Sequence, residues 1–510
     1  AHVDKVLKHW QIPSECESLF WALVRKQESC WDAHVLPESI GFPDFQAVLL
    51  KVLQRVRHKY CDCGKVERGK FIRQNTSRVE AEYEVQASCG KGAFGECSWV
   101  THKVSRKKRV CKKIQKEDAN VPAEEIIAEL DALKRLDHPH VLRVFEWFES
   151  EDSYHIILEA ALGGDVKHLL SMARNQAREA GDARLGVEEG LANTLTQQAL
   201  KALVYIHSMF TIHRDIKPGN LLLATADLEN PRLLVADFGV SELFEQSGKM
   251  SSMVRGTVAY MAPEVFSNQV CPRSDCWALG VVVFELLAGG RPFNAENPMA
   301  MFHKVKKAEI DYSKIRGAGI SEASVDFISL LLTKDPGARP SAAQALEHKW
   351  IAESAKEGQL PTGRQARKLK SSLSGFLSMG HFSKAAMNCV AAQVDTSKIE
   401  NLSDIFEQFD TNHDGKLSAA ELAAGLAEIG VEPDAIASLV EAVDMNGDKI
   451  IQYSEFVAAL LQAQGKLVED VLHSAFHVID VNQDGVISLS ELRMMLAGDG
   501  PLAAMLPDGK

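Results

Sequence analysis

Eight consecutive residues restrict the fold of this chain more than any other feature of its sequence. The stretch is His213-Arg214-Asp215-Ile216-Lys217-Pro218-Gly219-Asn220. Asp215 offers a carboxylate that accepts or orients a hydroxyl proton, Lys217 a cation for a transferring phosphoryl group, and Asn220 an amide that holds magnesium. A base, a phosphate-binding cation and a metal ligand in one loop predict phosphoryl transfer.

Further segments supply groups for a bound nucleotide. Asp237, in Asp237-Phe238-Gly239, offers a second magnesium-binding carboxylate. Val110 and Lys112 share one face of a strand-like segment, so we expect Lys112 to bind phosphate and Lys113 to point away. A glycine-rich turn, whose amides can close over phosphates, comprises Cys89, Gly90, Lys91, Gly92, Ala93, Phe94, Gly95, Glu96 and Cys97. Cys97 and Val110 are expected to cover the adenine.

Three segments near the carboxyl-terminal end carry oxygen ligands at calcium-binding spacing. Residues 395–510 hold 21 acidic and 6 basic side chains, so the net charge of −12 for the whole chain originates in this region. The carboxylates recur at the ligand positions of a calcium loop, which a random acidic surface would not do. The predicted ligands are Asp410, Asn412, Asp414, the Lys416 carbonyl and Glu421; Asp444, Asn446, Asp448, the Ile450 carbonyl and Glu455; and Asp480, Asn482, Asp484, the Val486 carbonyl and Glu491.

The middle loop departs from the pattern at its turn. Lys449 stands where the first and third loops have Gly415 and Gly485. A non-glycine residue at positive φ costs on the order of 1 kcal/mol, so we expect this loop to bind calcium more weakly than the others. Leu417 and Ile451 are expected to pair in a short strand between neighbouring loops.

Together these segments resemble the calcium-dependent protein kinases of plants and apicomplexan parasites, over residues 83–491. The resemblance implies an α+β chain in which a bilobal protein-kinase fold precedes an all-α EF-hand domain. It implies a calcium-activated serine/threonine kinase that uses ATP, Mg²⁺ and Ca²⁺. The expected parts are a helical extension at 1–80, for which a degenerate EF-hand is one interpretation, a kinase domain at 83–351, an autoinhibitory junction at 352–400 and a calmodulin-like domain at 401–510.

The resemblance assigns further residues to the nucleotide site. Glu129 is expected to pair with Lys112, while nearby glutamates at 124 and 125 are better interpreted as charges in the first turn of a helix. Leu158 is the expected gatekeeper of the back pocket. Glu159 and Ala161 follow it in the hinge, where they are expected to contact the adenine.

The resemblance also assigns residues around the acceptor. Thr257 is expected beside the catalytic loop, where it helps to bind a serine or threonine, and Lys217 itself indicates such an acceptor. Asp165 is expected to contact the nucleotide ribose or a basic substrate side chain, with a helix N-terminal charge as the alternative. Glu264 is expected to pair with Arg339 in a structural role.

The segment between the kinase and the calcium loops has the character of an autoinhibitory junction. Its basic residues precede apolar ones at roughly helical spacing. These are Arg364, Arg367, Lys368 and Lys370, followed by Leu373, Phe376, Met379, Phe382, Ala386 and Cys389. A plain linker helix is the alternative. We expect an intramolecular contact between the junction and the calmodulin-like domain, which acts as the calcium sensor. The sequence leaves two other functions open. One is a constitutively active kinase whose EF-hands serve targeting, and the other is a calcium-dependent scaffold without catalysis.

Two features depart from the family pattern. Gly219 stands where arginine-directed relatives often have glutamate, which weakens the case for basic substrates. Family members usually carry four calcium loops, and at the observed spacing a fourth would begin near position 514, beyond Lys510.

The remaining expectations concern surroundings and partners. Ten cysteines at irregular spacings predict reduced thiols, and no apolar segment approaches bilayer length. We expect a monomeric cytoplasmic protein that acts on protein substrates with serine or threonine acceptors and does not bind nucleic acid. Membrane association is expected only through an N-terminal acylation that this sequence does not display.

Overall fold

The computed structural model describes residues 72–461 with several gaps. The gaps are 76, 93–94, 117–129, 131–132, 182–184, 238–241, 244–257, 268, 318 and 353–360. The chain divides into two compact units, of which the larger comprises Glu67–Asp444 and Asp448–Val478. The smaller comprises Ala1–Val66, Met445–Gly447 and Ile479–Lys510, and of these the structure describes only Met445–Gly447. The third calcium loop and most of the extension at 1–80 therefore lie outside the described residues.

Six strands form the sheet of the amino-terminal lobe. They are β1 (Arg73–Asn75), β2 (Tyr83–Gly92), β3 (Gly95–His102), β4 (Lys108–Gln115), β5 (Val144–Glu149) and β6 (Ser153–Leu158), in the spatial order β1-β5-β6-β4-β3-β2. Cys111 of β4 faces Ile157 of β6 in register, and both are buried in a cluster with Val100. Because side chains alternate along a strand, Val110 and Lys112 point to the other face. That face is where the sequence places the nucleotide.

The edge strand β1 differs from the expectation of an entirely helical extension. Residues 73–75 pair parallel with β5, and a short helix, α1 (Val79–Glu82), follows them. Gln74 donates to Glu149 at 3.0 Å and Asn75 donates to Glu146 at 3.0 Å. An exposed sheet edge offers unpaired backbone groups, so these residues extend the sheet rather than a helix.

The carboxyl-terminal lobe is mainly helical. Its helices are α2 (Val166–Ala180), α3 (Glu189–Ser208), α4 (Pro272–Ala288), α5 (Pro298–Lys307), α6 (Ser313–Gly317), α7 (Glu322–Leu331), α8 (Ala342–Leu346) and α9 (Lys349–Ala352). From Ser274 to Ala288 the residues of α4 are buried. A helix that is apolar on every side belongs in a core, and α4 forms the centre against which α3 and α7 pack.

Short strands hold the loop that carries the predicted catalytic residues. The loop at 213–220 connects β7 (Thr211–Ile212) to β8 (Leu221–Leu223), and β8 pairs antiparallel with β9 (Leu233–Val235). A further strand, β10 (Glu242–Leu243), pairs with β7. The two small sheets fix both ends of the loop.

The first two calcium loops lie between helices as the sequence predicts. The helices are α12 (Glu400–Phe409), α13 (Ala419–Glu428), α14 (Pro433–Val443) and α15 (Tyr453–Leu460), with β11 (Leu417–Ser418) and β12 (Ile450–Ile451) in the loops. Leu417 pairs with Ile451, which confirms the expected strand contact. Gly415 has a φ of 78° and Lys449 a φ of 66°, so the lysine does adopt the strained turn conformation.

The junction forms two helices instead of one continuous apolar stretch. They are α10 (Gly363–Ser378) and α11 (His381–Ala392). Met379 and Gly380 have extended backbone conformations, with ψ angles of 144° and 160°, which interrupts the helical hydrogen bonding. Leu373 and Phe376 of α10 and Cys389 of α11 are buried.

Two further observations bear on the sequence analysis. Within the described ranges, no helix is both long and apolar enough to cross a bilayer. The described cysteines are free thiols, as expected, namely Cys89, Cys97, Cys111, Cys271, Cys276 and Cys389.

One ion pair in the core allows a test of the fold. Arg339 donates to Glu264 at 2.6 and 3.0 Å, which confirms the predicted pairing, and both side chains are buried. We expect Arg339→Met to destabilise the kinase lobe by about 3–5 kcal/mol, because it leaves a buried carboxylate without its cation. Urea unfolding monitored by tryptophan fluorescence measures this loss.

The matched control is Arg316→Met. Arg316 pairs with Glu322 at 2.8 Å on the surface, where solvent screens both charges. It should leave the unfolding midpoint almost unchanged. Equal midpoint shifts in the two variants would contradict the structural role of the Arg339–Glu264 pair.

Candidate active site and calcium loops

A buried carboxylate fixes the shape of the loop at 213–220. Asp275 of α4 accepts hydrogen bonds from the backbone N–H groups of His213 at 2.9 Å and Arg214 at 2.8 Å. It also lies 2.8 Å from Nε2 of His207. Burial alone would raise the pKa of Asp275, but His207 holds it below its ordinary value. The anionic carboxylate stabilises Arg214 at a φ of 70°, a conformation that side-chain-bearing residues seldom adopt.

Three predicted catalytic groups meet in this loop. Lys217 Nζ lies 2.5 Å from Asp215 Oδ2. Asn220 Nδ2 donates to the same oxygen at 3.0 Å and to the Asp215 carbonyl at 2.8 Å. Asp215 and Asn220 are buried and Lys217 is half-buried. The two donors orient the carboxylate, and this arrangement is suited to a base that receives a hydroxyl proton.

Lys112 of β4 and Asp237, which follows β9, form a second charged pair. Lys112 Nζ lies 2.5 Å from Asp237 Oδ1, and Asp237 has a φ of 64°. Burial alone would raise the pKa of Asp237, but the Lys112 cation holds it below its ordinary value. Glu129 and Thr257 lie outside the described residues, so the predicted Glu129–Lys112 pair and the role of Thr257 remain predictions.

Of these groups, Lys112, Lys217, Asn220 and Asp237 line a cavity of about 830 Å³ between the lobes, whereas Asp215 lines a separate small hollow. Its size falls in the usual range for a small-molecule or cofactor site. Of the predicted residues, those on its surface are Cys89, Gly90, Gly95, Cys97, Val110, Lys112, Leu158, Glu159, Ala161, Asp165, Lys217, Asn220 and Asp237. Glu96 belongs to β3 but does not line the cavity. Lys91 and Gly92 belong to β2, and Ala93 and Phe94 lie outside the described residues. The apolar walls and the Lys112–Asp237 and Asn220 groups suit a nucleotide with its magnesium.

Other residues of this cavity could not be identified from the sequence. Apolar ones such as Leu142, just before β5, and Leu222 of β8 carry no motif. Arg174, Tyr260 and Glu285 come from α2, the segment before α4 and α4 itself. No local spacing connects these positions, so only the fold reveals that they share a surface.

The outer side of the hinge contacts the end of the junction. The Glu159 carboxylate accepts hydrogen bonds from the backbone N–H of Thr396 at 2.5 Å and from its hydroxyl at 3.0 Å. Glu159 and Thr396 are buried. Burial raises the pKa of Glu159, with Asp395 adding to the shift, while Arg143 and Thr396 oppose it. A hinge side chain thus receives its hydrogen bonds from a residue 237 positions later in the chain.

Two arginines of the kinase lobe extend this contact. Arg143 donates to the carbonyls of Ala391 at 2.9 Å and Val394 at 2.8 Å, at the carboxyl-terminal end of α11. A cation is favourable there because the helix dipole leaves that end partly negative. Arg109 forms an ion pair with Asp395, and its guanidinium lies 3.8 Å from the centre of the Phe145 ring.

A second charge cluster binds helix α12 to the kinase lobe. Glu407 lies 2.6 Å from Lys201, 3.0 Å from His140 Nε2 and 3.3 Å from Arg232, which also pairs with Asp404. Burial alone would raise the pKa of Glu407, but Lys201 and His140 hold it well below its ordinary value. This cluster could not be predicted from the sequence, because its members belong to separate helices and loops.

The first calcium loop has its donors in place. Asp410 accepts from the backbone N–H of Gly415 at 2.8 Å and of Asp414 at 3.1 Å, and Glu421 accepts from the backbone of Asn412 at 3.3 Å. Burial raises the pKa of Asp410 to about 7, and the Asp414 and Glu421 carboxylates add to the shift. A divalent cation would relieve this repulsion, so the donor set suits calcium.

The first loop also rests on the kinase lobe. A Cβ added to Gly415 would lie 2.6 Å from His138 Cδ2 and 2.8 Å from Tyr205 Cδ2. Lys416 lies 5.8 Å from the centre of the Tyr205 ring. Calcium binding at this loop is therefore physically adjacent to the kinase surface.

In the second loop, Asp444 accepts from the backbone N–H of Lys449 at 3.0 Å, and Asp448 accepts from that of Ile450 at 2.8 Å. Glu455 is buried and accepts from the backbone of Gln452 at 2.9 Å. The strained Lys449 thus still closes the loop. Asp480, Asn482, Asp484, Val486 and Glu491 of the third loop lie outside the described residues.

The fold and the site define a protein kinase joined to EF-hands. The protein kinase domain family matches residues 83–351, an EF-hand domain pair matches residues 399–461, and a further EF hand matches residues 472–496. A protein-kinase domain uses ATP and Mg²⁺ and acts on protein substrates, and EF-hands bind Ca²⁺.

Similar proteins identify the group of protein kinases to which the chain belongs. Calcium-dependent protein kinase 7 of Arabidopsis thaliana is 30% identical over 423 residues, which cover 82% of this chain and 76% of the relative. Calcium-dependent protein kinase 16 of Oryza sativa subsp. japonica is 30% identical over 427 residues, covering 83% and 75%. The chain belongs to the calcium-dependent protein kinases, and it is a serine/threonine protein kinase.

The hinge contact predicts a local effect of one substitution. Thr396→Val removes the hydroxyl donor to Glu159 and should weaken docking of residues 394–399 by about 1–3 kcal/mol, since a buried acceptor loses its partner. Hydrogen–deuterium exchange should show faster exchange in this segment. Thr194→Val is the matched control, because the Thr194 hydroxyl bonds only to Gly190 of its own helix among described partners. Unchanged exchange in Thr396→Val would contradict the role of the hydroxyl.

Proposed function

We propose that the described loop residues carry the phosphoryl transfer in defined roles. Asp215 accepts the proton of a substrate serine or threonine hydroxyl. The hydroxyl oxygen bonds to the γ-phosphorus of ATP, while the bond between that phosphorus and the bridging oxygen of the β-phosphate breaks. Lys217 neutralises charge on the transferring group. The supporting observation is the convergence of both side chains and Asn220 within hydrogen-bonding distance.

The nucleotide is proposed to occupy the cavity between the lobes. Lys112 binds its phosphates, Cys97 and Val110 cover the adenine, and the hinge at Glu159 and Ala161 borders it. Magnesium held by Asn220 and Asp237 would neutralise phosphate charge when bound. Leu158 is the proposed gatekeeper. The roles of Glu129 and Thr257 stay as the resemblance implies them.

Calcium binding is proposed at the three loops, with the middle loop weakest. The first two loops offer the same types of donor, but in the first loop Gly415 takes the turn conformation without strain. In the second loop, Lys449 adopts the same turn conformation, which is strained for a residue with a side chain. The third loop, which matches the EF-hand family, is proposed to act with the first.

Regulation is proposed to work through the position of the junction. Helix α10 packs on α14 and α15, α11 packs on α15, and Lys370 donates to the Gly430 carbonyl. No described residue of the junction lines the nucleotide cavity. These contacts support a state in which the sensor holds the junction and leaves the cavity accessible. Without calcium, the junction or sensor would hold the kinase inactive.

The alternatives have less support. A scaffold without catalysis would not need the Asp215–Lys217 and Lys112–Asp237 pairs, which are both formed. A constitutively active kinase would not need Thr396 to hydrogen-bond the hinge. The contact of the first calcium loop with His138 and Tyr205 gives calcium a direct route to the kinase lobe.

The role of Asp215 as the base can be tested by replacing its carboxylate with an amide of the same shape. Asp215→Asn should lower kcat for phosphate transfer to a serine peptide pool by about 10²-fold or more, because the amide cannot accept the proton. Nucleotide affinity, measured by calorimetry, should change little. Asp227→Asn is the control, since Asp227 is exposed and an asparagine there keeps the acceptor for Glu229. Retained kcat in Asp215→Asn would exclude Asp215 as the base.

Calcium activation can be tested at the final ligand of two loops. With magnesium and ATP constant and free calcium titrated from nanomolar to millimolar, the wild-type rate should rise sigmoidally. Glu421→Gln combined with Glu491→Gln should remove this rise, since both bidentate carboxylates are lost. Glu428→Gln, on the exposed side of α13, is the control. A normal calcium response of the double variant would refute regulation through these loops.

A further inference from the structure

Two thiols belong to the wall of the nucleotide cavity. Cys89 of β2 and Cys97 of β3 both line it, and no other cysteine within the described ranges does so. Cys89 is exposed and Cys97 is half-buried. Neither the proposed phosphoryl transfer nor the calcium loops require two sulfur atoms at this wall.

The pairing of the strands places the two cysteines next to each other. Gly90 faces Cys97 and Ser88 faces Ser98, so Cys89 is an extra residue between two consecutive pairs. The Ser88 hydroxyl also donates to the Cys97 carbonyl at 3.2 Å. Facing residues of antiparallel strands have Cα atoms about 4.5–5.5 Å apart, which puts the Cα atoms of Cys89 and Cys97 at about 6 Å. This separation lies within the range of disulfide-bonded cysteines.

A β-bulge accounts for both side chains reaching the same wall. Side chains alternate along a regular strand, and Gly90 already shares the face of Cys97. The extra residue of a bulge interrupts this alternation and redirects a side chain. Cys89 accordingly lines the cavity together with Cys97. Burial raises the pKa of the Cys97 thiol to about 11; Lys112 opposes this shift, and the nearby Cys89 adds to it.

The other described cysteines lie elsewhere in the fold. Cys111 is buried in the cluster on the opposite face of the sheet. Cys271 and Cys276 lie at the start of α4, and Cys389 belongs to α11. Among the described thiols, the one beside Cys89 on the cavity wall is therefore that of Cys97.

We propose that Cys89 and Cys97 form a modification site, at which a hydroperoxide produces a disulfide that closes the nucleotide cavity. This inference rests on the proposed binding of ATP in that cavity. The bond would tie β2 to β3 across the place assigned to the adenine. The reduced chain then binds the nucleotide, and the oxidised chain does not.

The reaction balances with hydrogen peroxide as the oxidant. The thiolate of the more exposed Cys89 attacks one peroxide oxygen, the O–O bond breaks, and the departing hydroxide takes up the thiol proton and leaves as water. The Cys97 sulfur then attacks the sulfur of the resulting sulfenic acid, and the S–O bond breaks. The hydroxyl group leaves as a second water with the Cys97 proton. Two thiols are thereby oxidised, and one peroxide is reduced to two waters.

Protonation of the thiols sets the rate of this reaction. Burial raises the pKa of Cys89 as it does that of Cys97, so thiolate is scarce at neutral pH. Below its pKa, the thiolate fraction of a cysteine rises about tenfold for each pH unit, so oxidation should be about tenfold faster at pH 8 than at pH 7. The reduced pair therefore resists brief exposure and responds to sustained peroxide.

Peptide mapping of the full chain tests the linkage itself. The nucleotide-free chain is treated with hydrogen peroxide at pH 8, its remaining thiols are alkylated, and it is digested with trypsin. Cleavage after Lys91 separates Cys89 from Cys97, so the disulfide should appear as linked peptides 79–91 and 92–103 that dithiothreitol separates. ATP at about ten times its Kd should slow the formation of this species about tenfold, because it occupies the cavity.

Calorimetry of ATP binding tests the consequence. Oxidation should weaken ATP binding by about tenfold or more, since the adenine loses part of its apolar pocket, and dithiothreitol should restore it. Cys89→Ala and Cys97→Val, each compared with its own reduced form, should lose this difference. Cys271→Ser is the control, because Cys271 does not line the cavity and a serine keeps its capping role. It should keep the wild-type difference.

The failure of this inference and of the proposed function give different results. Both thiols still open to alkylation after prolonged oxidation, with ATP bound normally by the reduced chain, would overturn the disulfide and leave the nucleotide site intact. A linked peptide without any loss of ATP affinity would overturn closure of the cavity. If the reduced chain does not bind ATP, the proposed nucleotide site itself fails.

Discussion

The catalytic loop depends on one buried carboxylate that performs no chemistry. Asp275, at the start of a helix buried from Ser274 to Ala288, binds two consecutive backbone N–H groups of the loop. These bonds offset the unfavourable φ of Arg214 and so fix the direction in which Asp215 points. The position of the base is therefore set by the packing of α4 in the core.

The junction and helix α12 contact the kinase lobe through two carboxylates, Glu159 and Glu407. The pKa values of these carboxylates are shifted in opposite directions. Burial raises the pKa of Glu159 at the hinge, whereas Lys201, His140 and Arg232 hold that of Glu407 well below its ordinary value. Glu407 is thus a stable anionic anchor. Glu159 depends on the junction for hydrogen-bond donors, so loss of this contact would leave a buried carboxylate unsatisfied.

Much of the site could be predicted because its chemistry lies in short segments. Asp215, Lys217 and Asn220 fall within one short loop, so the sequence alone places them near one another, although Asp275 fixes the conformation of that loop. Strand alternation likewise selected Lys112 over Lys113. The interruption of the junction at Gly380 and the edge strand at 73–75 were not predicted, since each depends on what packs beside it.

The sequence by itself determined the reaction type and the calcium loops, because local spacing places their ligands within reach of one another. Only the tertiary structure decided that Thr396 reaches Glu159, that Glu407 binds Lys201 and that Arg174 occupies Glu285. These partners are more than a hundred residues apart in the chain. No periodicity or motif relates such positions, and their contact follows from how the helices pack.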